Sequence, residues 1–308
     1  MVSTPLMAVN LGGIHMQNPV NTASGTYGFG REFESFYDVA HLGAITCKGC
    51  AAEPWDGNPA PRMCEVSSGI MNTVGLQNVG IRAMVESEGK YLQGLTQRGC
   101  AVILQVAGHS IEEYIAAVEL YEELAPWASG LELNISCPNI AAGGAAMGAT
   151  PETAAKLMQA VRPRTKRPLM VKMAPSRVPE IARALEAAGA DALSLINTIP
   201  AMSIDTRTRR SRLSRPTAGL SGPAIHAIAV RMVWEAHRAS SLPLCGIGGI
   251  TNGADAAEFI LAGATAISVG TANLTDPMTA VRVVDELYDW AKNQGASDIN
   301  ELIGAFEC

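Results

Sequence analysis

The stretch Leu131-Glu-Leu-Asn-Ile-Ser-Cys-Pro-Asn139 concentrates the groups best suited to chemistry. Leu131, Leu133 and Ile135 alternate with Glu132, Asn134 and Ser136, the period-2 pattern of a short strand. Pro138 stops that strand and residues 140–150 are rich in Gly and Ala, so Cys137 stands where a strand runs into a loop. A thiol there, bracketed by Asn134 and Asn139, is placed to accept a proton near neutrality. The alternative for any lone cysteine is a small buried hydrophobe. The other strand ends decide between the two.

Seven further apolar strands are expected, at 18–25, 42–48, 101–107, 168–173, 191–196, 242–247 and 265–269. Helical segments are expected at 31–40, from about 81, after Ser110, from Thr150, and at 178–188, 223–240, 252–262 and 277–293. Ser110 and Glu113 have the spacing of a capping box, Thr150-Pro-Glu that of a capped start, and Gly43 is expected to end the helix before the second strand. Ala188-Gly-Ala-Asp-Ala-Leu-Ser-Leu and Ala262-Gly-Ala-Thr-Ala-Ile-Ser-Val repeat one helix–turn–strand unit. Eight strands, each followed by a helix-like segment, predict a (β/α)₈ TIM barrel, with a doubly wound sheet as the alternative. Residues 1–308 are read as a single domain. Long insertions follow strand 2 (53–80) and strand 6 (197–222), too long for ordinary connections.

Composition removes several classes. Hydrophobic residues make up 48% and charged residues 17% of the 308, which excludes a disordered chain. A net charge of −6 without a basic stripe argues against nucleic acid, and the five arginines between Arg207 and Arg215 are confined to one loop. Residues 1–13 lack the Lys or Arg and the apolar core of a secretory signal, and the long uncharged run 133–151 has too much Gly, Pro and Asn for a membrane helix. Seven cysteines form no even framework, which suits a reducing cytoplasm. Cys47-Lys-Gly-Cys50 has the spacing of a metal or redox pair, but without a second pair no metal is expected.

In a barrel the functional groups sit at the C-terminal ends of the strands. Here those ends carry Ser24, Lys48, Gln105, Asn134 with Cys137, Lys172, Asn197-Thr198, Gly248-Gly249 and Gly270-Thr271. Without His or carboxylate, this set is poor for metal binding or a Ser/His/Asp triad. It suits a polar planar ligand held by neutral hydrogen bonds, with two cations for negative charge. The glycine pairs after strands 7 and 8 stand where barrels build phosphate sites, ordinary tight turns being the alternative. Lys48 and Lys172 either snorkel at the rim or meet a bound anion. No dinucleotide fingerprint follows the first strand, which favours a mononucleotide such as FMN over NAD.

Asn134-Ile-Ser-Cys-Pro-Asn139, Asn72-Thr-Val-Gly-Leu-Gln-Asn78, Gly57-Asn-Pro-Ala-Pro-Arg62, Ile196-Asn-Thr198 and Gly219-Leu-Ser-Gly-Pro223 resemble the class 1 dihydroorotate dehydrogenases over nearly the whole chain. Ala23-Ser-Gly-Thr-Tyr-Gly-Phe-Gly30 and Phe36-Tyr-Asp38 resemble class 1B. The resemblance implies an FMN barrel that oxidises dihydroorotate to orotate in pyrimidine biosynthesis. It implies Cys137 as general base for the C5 proton, with hydride leaving C6 for the flavin. It implies substrate contacts from Lys48, Asn72, Gly75, Leu76, Asn134, Asn139, Asn197 and Thr198. FMN contacts are implied for Ser24, Lys48, Gly49, Asn134, Lys172, Ile196, Gly222, Gly248, Gly249, Gly270 and Thr271. It further implies a homodimer within a heterotetramer, whose second subunit carries FAD and a [2Fe–2S] cluster and passes electrons to NAD.

This sequence departs from the pattern at two points. Gln105 stands where the resemblance implies a flavin-contacting Asn, and Gly49-Cys50 replace the usual small or hydroxyl residues. Residues 141–148, without anchoring side chains, are expected to act as a lid. Other readings are a class 1A-like, fumarate-linked enzyme, a dihydropyrimidine dehydrogenase-like flavoprotein, a silent scaffold subunit and a flavin-free lyase barrel. The Asn139 ending, where His would be expected, argues against the dihydropyrimidine reading. Intact Cys137 and both lysines argue against the silent scaffold.

Overall fold

The computed structural model describes residues 5–136 and 147–307. Its centre is a parallel sheet of eight strands: β1 (Val20–Thr22), β2 (Ala44–Thr46), β3 (Ala101–Val106), β4 (Gly130–Asn134), β5 (Leu169–Lys172), β6 (Ala192–Leu195), β7 (Leu244–Ile247) and β8 (Ala266–Val269). They neighbour one another in the order β1-β8-β7-β6-β5-β4-β3-β2. The ends of that row meet through Gly43 N–H donating to Val20 O (3.0 Å) and Asn21 Nδ2 donating to Thr46 Oγ1 (2.8 Å). The fold is a (β/α)₈ barrel.

The helices are α1 (Ile81–Gln97), α2 (Ile111–Leu124), α3 (Pro151–Val161), α4 (Val178–Ala187), α5 (His226–Ala239), α6 (Gly253–Leu261), α7 (Ala272–Thr275) and α8 (Thr279–Asn293). The longer helices turn an apolar stripe to the sheet, such as Val178, Ile181, Ala182 and Leu185 in α4, and α7 and α8 follow β8 in succession. Thr150 and Thr153 form a reciprocal cap at α3, with Pro151 in the first turn. At α2, Ser110 Oγ accepts from Glu113 N–H, but the Glu113 carboxylate accepts from His109 N–H (2.8 Å) instead of Ser110.

Two expectations fail after β1. The helix expected over 31–40 is a pair of 3₁₀ turns, Arg31–Ser35 and Val39–His41. Tyr27 stacks on Phe33 with 3.9 Å between ring centroids and bonds Tyr37 through the hydroxyls, while the Asp38 side chain caps Ala40 N–H and starts a second turn. Gly43 therefore ends no helix. It is required because a Cβ there would lie 1.8 Å from Asn18 O at the barrel seam. Gly43→Ala should destabilise the protein by roughly 2–3 kcal/mol, as overpacked cores do, read as a lowered denaturation midpoint. A wild-type midpoint would mean that the seam yields.

A hairpin absent from the sequence reading, Val9–Leu11 with Ile14–Met16, closes the N-terminal mouth of the barrel. Leu11 and Ile14 are buried, and Gly130 leaves room for Ile14, whose Cδ1 lies 2.6 Å from a Cβ built at that glycine.

The two insertions join at the opposite mouth. Met63–Val66 and Gly69–Asn72 from the first pair with Ala218–Ser221 and Ile199–Ala201 from the second in one antiparallel four-stranded sheet. The arginine cluster helps to hold this sheet: Arg212 donates to Glu65 O (2.9 Å) and Arg215 to Asn58 Oδ1 (3.3 Å). Among the described residues, no helix is long and apolar enough to cross a membrane.

Candidate active site

Parallel strands in a barrel deliver all their C-terminal ends to one mouth. Lys48, Gln105, Asn134, Lys172, Ile196, Asn197, Thr198, Gly248, Gly249, Gly270 and Thr271 therefore share it, with Ser24 after β1. Ser24 Oγ donates to Gln105 Oε1 (2.9 Å) and accepts from Gly49 N–H (3.2 Å), tying the ends of β1, β2 and β3 together. Asn134 Nδ2 donates to the same Gln105 oxygen at 3.3 Å. Asn134 Oδ1 accepts from Ser136 Oγ (2.7 Å), and Ser136 Oγ accepts from Asn197 Nδ2 (2.6 Å). Tyr114 of α2 donates its hydroxyl to Asn134 O (2.5 Å), fixing the strand end from outside. Thr198 N–H donates to Asn197 Oδ1 (2.8 Å).

The insertion sheet brings the distant residues in. Asn72 pairs with Gly219, which pairs with Pro200, so the strands of Asn72 and of the segment after Thr198 flank Gly219 on either side. Gly219 is glycine because a Cβ would lie 2.0 Å from Thr198 Oγ1. Gly75 (φ +73°) and Leu76 (φ +57°) follow in a left-handed turn packed on Asn58, whose Nδ2 donates to Thr73 O and Oγ1. Arg62 clamps this turn through Asn58 O, Asp56 O and Gln77 Oε1.

Lys172 is 5% exposed, and no ion pair forms at it among the described residues. Burying an ammonium is costly without a partner, so a ligand with negative character fits here. Gly222, Gly248 and Gly249 (φ +99°, +144° and +70°) lie where β7 and the start of α5 pack closely. A Cβ on Gly248 would meet Ala229 Cβ at 2.5 Å, and one on Gly249 would meet His226 Cβ at 2.8 Å and Gly222 O at 2.9 Å. Packing alone thus demands glycine at these positions. The backbone N–H groups of Gly249 and Thr271 make no hydrogen bond among the described residues, leaving donors for an anion. Thr271 Oγ1 donates to Ser221 Oγ (2.8 Å), linking β8 to the insertion sheet.

The thiols divide sharply. Cys47, Cys50, Cys100 and Cys245 are buried, and no metal-binding group of His, Cys, Asp or Glu occurs among the described residues. Burial pushes Cys47 well up, Cys50 up to about 11, and Cys100 and Cys245 up to about 12. These groups stay protonated and unreactive at pH 8. Iodoacetamide on the native protein at pH 8 should label the half-buried Cys64 well before any of these four, as peptide mass spectrometry would show. Early label on Cys47 or Cys245 would contradict their placement. Cys137 and Asn139 lie outside the described residues, as does the expected lid apart from Met147 and Gly148.

A family model described as dihydroorotate dehydrogenase matches residues 6–290. The chain belongs to the dihydroorotate dehydrogenase family. A relative from Geotalea daltonii, named dihydroorotate dehydrogenase B (NAD(+)), catalytic subunit, is 45% identical over 99% of this chain and 100% of its own. One of the same name from Bacteroides thetaiotaomicron is 44% identical over 98% and 99%. The crystal structure of DHODH from Eimeria tenella in complex with ferulenol shares the fold, with a TM-score of 0.81 at 22% identity over 99% of this chain and 89% of that one.

Within this dihydroorotate dehydrogenase fold, packing links Gly49 to Gln105. A Cβ on residue 49 would lie 2.5 Å from Gln105 Oε1, so the long amide at 105 and the missing side chain at 49 are complementary. Sequence reasoning missed Glu132, Ser136, Ser194 and Tyr114 as residues that hold the strand ends of this mouth together. Glu132 sits in a strand whose two faces are both buried, which the alternating sequence alone does not reveal.

Proposed function

We propose that this chain is the catalytic subunit of a cytoplasmic, NAD-linked dihydroorotate dehydrogenase, oxidising dihydroorotate to orotate in pyrimidine biosynthesis. The observation that carries this reading is the convergence, at one barrel mouth, of Lys48, Asn72, Asn134, Asn197 and Thr198 with Lys172 and the glycine turns of β7 and β8. The donor set fits FMN: Lys172 for the electron-rich edge of the ring, and the free N–H groups of Gly249 and Thr271 for the phosphate. Ser24, Lys48, Gly49, Asn134, Ile196, Gly222, Gly248 and Gly270 complete the proposed contacts. FMN bound there supplies the acceptor for the hydride that leaves C6 of dihydroorotate.

The chain's own residues do the rest. Asn72, Asn134, Asn139, Asn197 and Thr198 grip the imide and carbonyl edges without adding charge, and Lys48 faces the carboxylate. Gly75 and Leu76 shape the turn against which the ring lies. That grip sets C5 against Cys137, which removes its proton. Electrons leave through a second subunit carrying FAD and a [2Fe–2S] cluster, with two copies of this chain in a heterotetramer.

The test is an absorbance spectrum of the purified, FMN-loaded chain before and after anaerobic dihydroorotate. The flavin band should bleach. A band unchanged by dihydroorotate rejects the substrate, and a chain that fails to retain added FMN rejects the cofactor.

A further inference from the structure

Beneath the mouth, inside the barrel, Glu132 is 2% exposed. Its two carboxylate oxygens accept from groups on different strands: Ser194 Oγ on β6 (2.5 Å) and Gln105 Nε2 on β3 (2.5 Å). Both oxygens of Glu132 accept, and Gln105 turns its nitrogen toward Glu132 and its oxygen away. That oxygen then accepts from Ser24 Oγ and Asn134 Nδ2. Asn134 Oδ1 in turn accepts from Ser136 Oγ, which accepts from Asn197 Nδ2, whose own Oδ1 accepts from Thr198 N–H. Every donor along this line points back toward Glu132.

We infer that Glu132, acting through Gln105, is a positioning residue that sets the hydrogen-bond polarity of the site. It leaves Asn134 and Asn197 each with one N–H unused by the line, while their oxygens are engaged. The two amides therefore offer donors, and where a ligand meets Asn134 or Asn197 it must present an accepting oxygen. A ligand group that donates at either of these two positions meets a donor and is rejected, because two buried donors facing each other leave both unpaired. This inference rests on the dihydroorotate reading for the identity of the ligand but not for the polarity. Gln105 acts here through its neighbours, with Gly49 leaving room for its oxygen.

The test uses FMN-loaded wild type, Gln105→Leu, and the double variant Gln105→Leu/Glu132→Leu, which removes the stranded carboxylate as well. Calorimetry measures binding of orotate and of two analogues in which one ring carbonyl oxygen is replaced by an amino group. Wild type should favour orotate over at least one analogue by about a hundredfold or more, the scale on which unpaired buried donors discriminate. In Gln105→Leu that ratio should fall at least tenfold. The double variant should regain melting temperature relative to the single one without regaining the ratio. Recovery of the ratio along with stability, or an unchanged ratio in Gln105→Leu, overturns the inference. If wild type binds no orotate, the function reading fails separately, and the polarity is judged on side-chain amide exchange by ¹⁵N NMR. Signals assigned by their loss in Asn134→Asp and Asn197→Asp should exchange slowly in wild type and at least tenfold faster in Gln105→Leu. Exchange as fast as an exposed asparagine in wild type would dismiss the network.

Discussion

Cys137→Ser is expected to slow flavin reduction by dihydroorotate by roughly 10²–10⁴-fold, the usual worth of a positioned general base. A free thiol titrates near ~8.5, so part of it is already a base at neutral pH, whereas a serine hydroxyl is far weaker. The wild-type rate should therefore climb through the thiol range and level off above it. The serine variant should still be climbing there, its optimum moved upward. The backbone just before this position is well held: Ser136 is buried, its N–H and hydroxyl both reach Asn134 Oδ1, and its oxygen accepts from Asn197. A one-atom change at residue 137 should thus leave FMN content unchanged, separating loss of the base from loss of the site. Anaerobic stopped-flow at the flavin band measures the rate. A variant that reduces at the wild-type rate at pH 7 would remove Cys137 from the role.

The barrel was legible because each strand is an apolar run bounded by Gly, Pro or Asn, and the chain repeats that unit eight times. The strand-end residues followed, since a parallel barrel leaves only one place for them. What escaped depended on contacts distant in sequence. The pairing of Gly69–Asn72 with Ala218–Ser221 joins two insertions about 150 residues apart and has no local signature. The segment after Gly30 has helix-compatible residues, but the Tyr27–Phe33 stack and the Asp38 cap divide it into two short turns. Gly43 looks like a helix stop, yet its reason lies at Asn18 across the seam. Glu132 was visible in an alternating strand, but an outward, solvated Glu is the ordinary expectation for such a pattern. Only closure of the barrel places its carboxylate between Ser194 and Gln105.

The isolated chain is expected to oxidise dihydroorotate with a dye acceptor while reducing NAD⁺ at no measurable rate. Each turnover leaves two electrons in the protein, and they need a route out. The chain shows no Gly-rich dinucleotide fingerprint after β1, where Ala23-Ser-Gly-Thr-Tyr-Gly-Phe-Gly30 instead builds the Tyr27 turn. Four of the five described thiols are buried, and none belongs to a metal-binding group among the described residues. The proposed route is therefore a second subunit with FAD and a [2Fe–2S] cluster, and adding it should restore NAD⁺ reduction. The rival is fumarate, which would reoxidise the flavin directly from the site that orotate vacates, as expected of a class 1A-like enzyme. The isolated chain, reduced anaerobically with dihydroorotate, is mixed in separate shots with fumarate and with NAD⁺. Slow reoxidation by both, made fast for NAD⁺ alone by the partner, is the expected pattern. Rapid reoxidation by either one without a second protein would make the partner unnecessary.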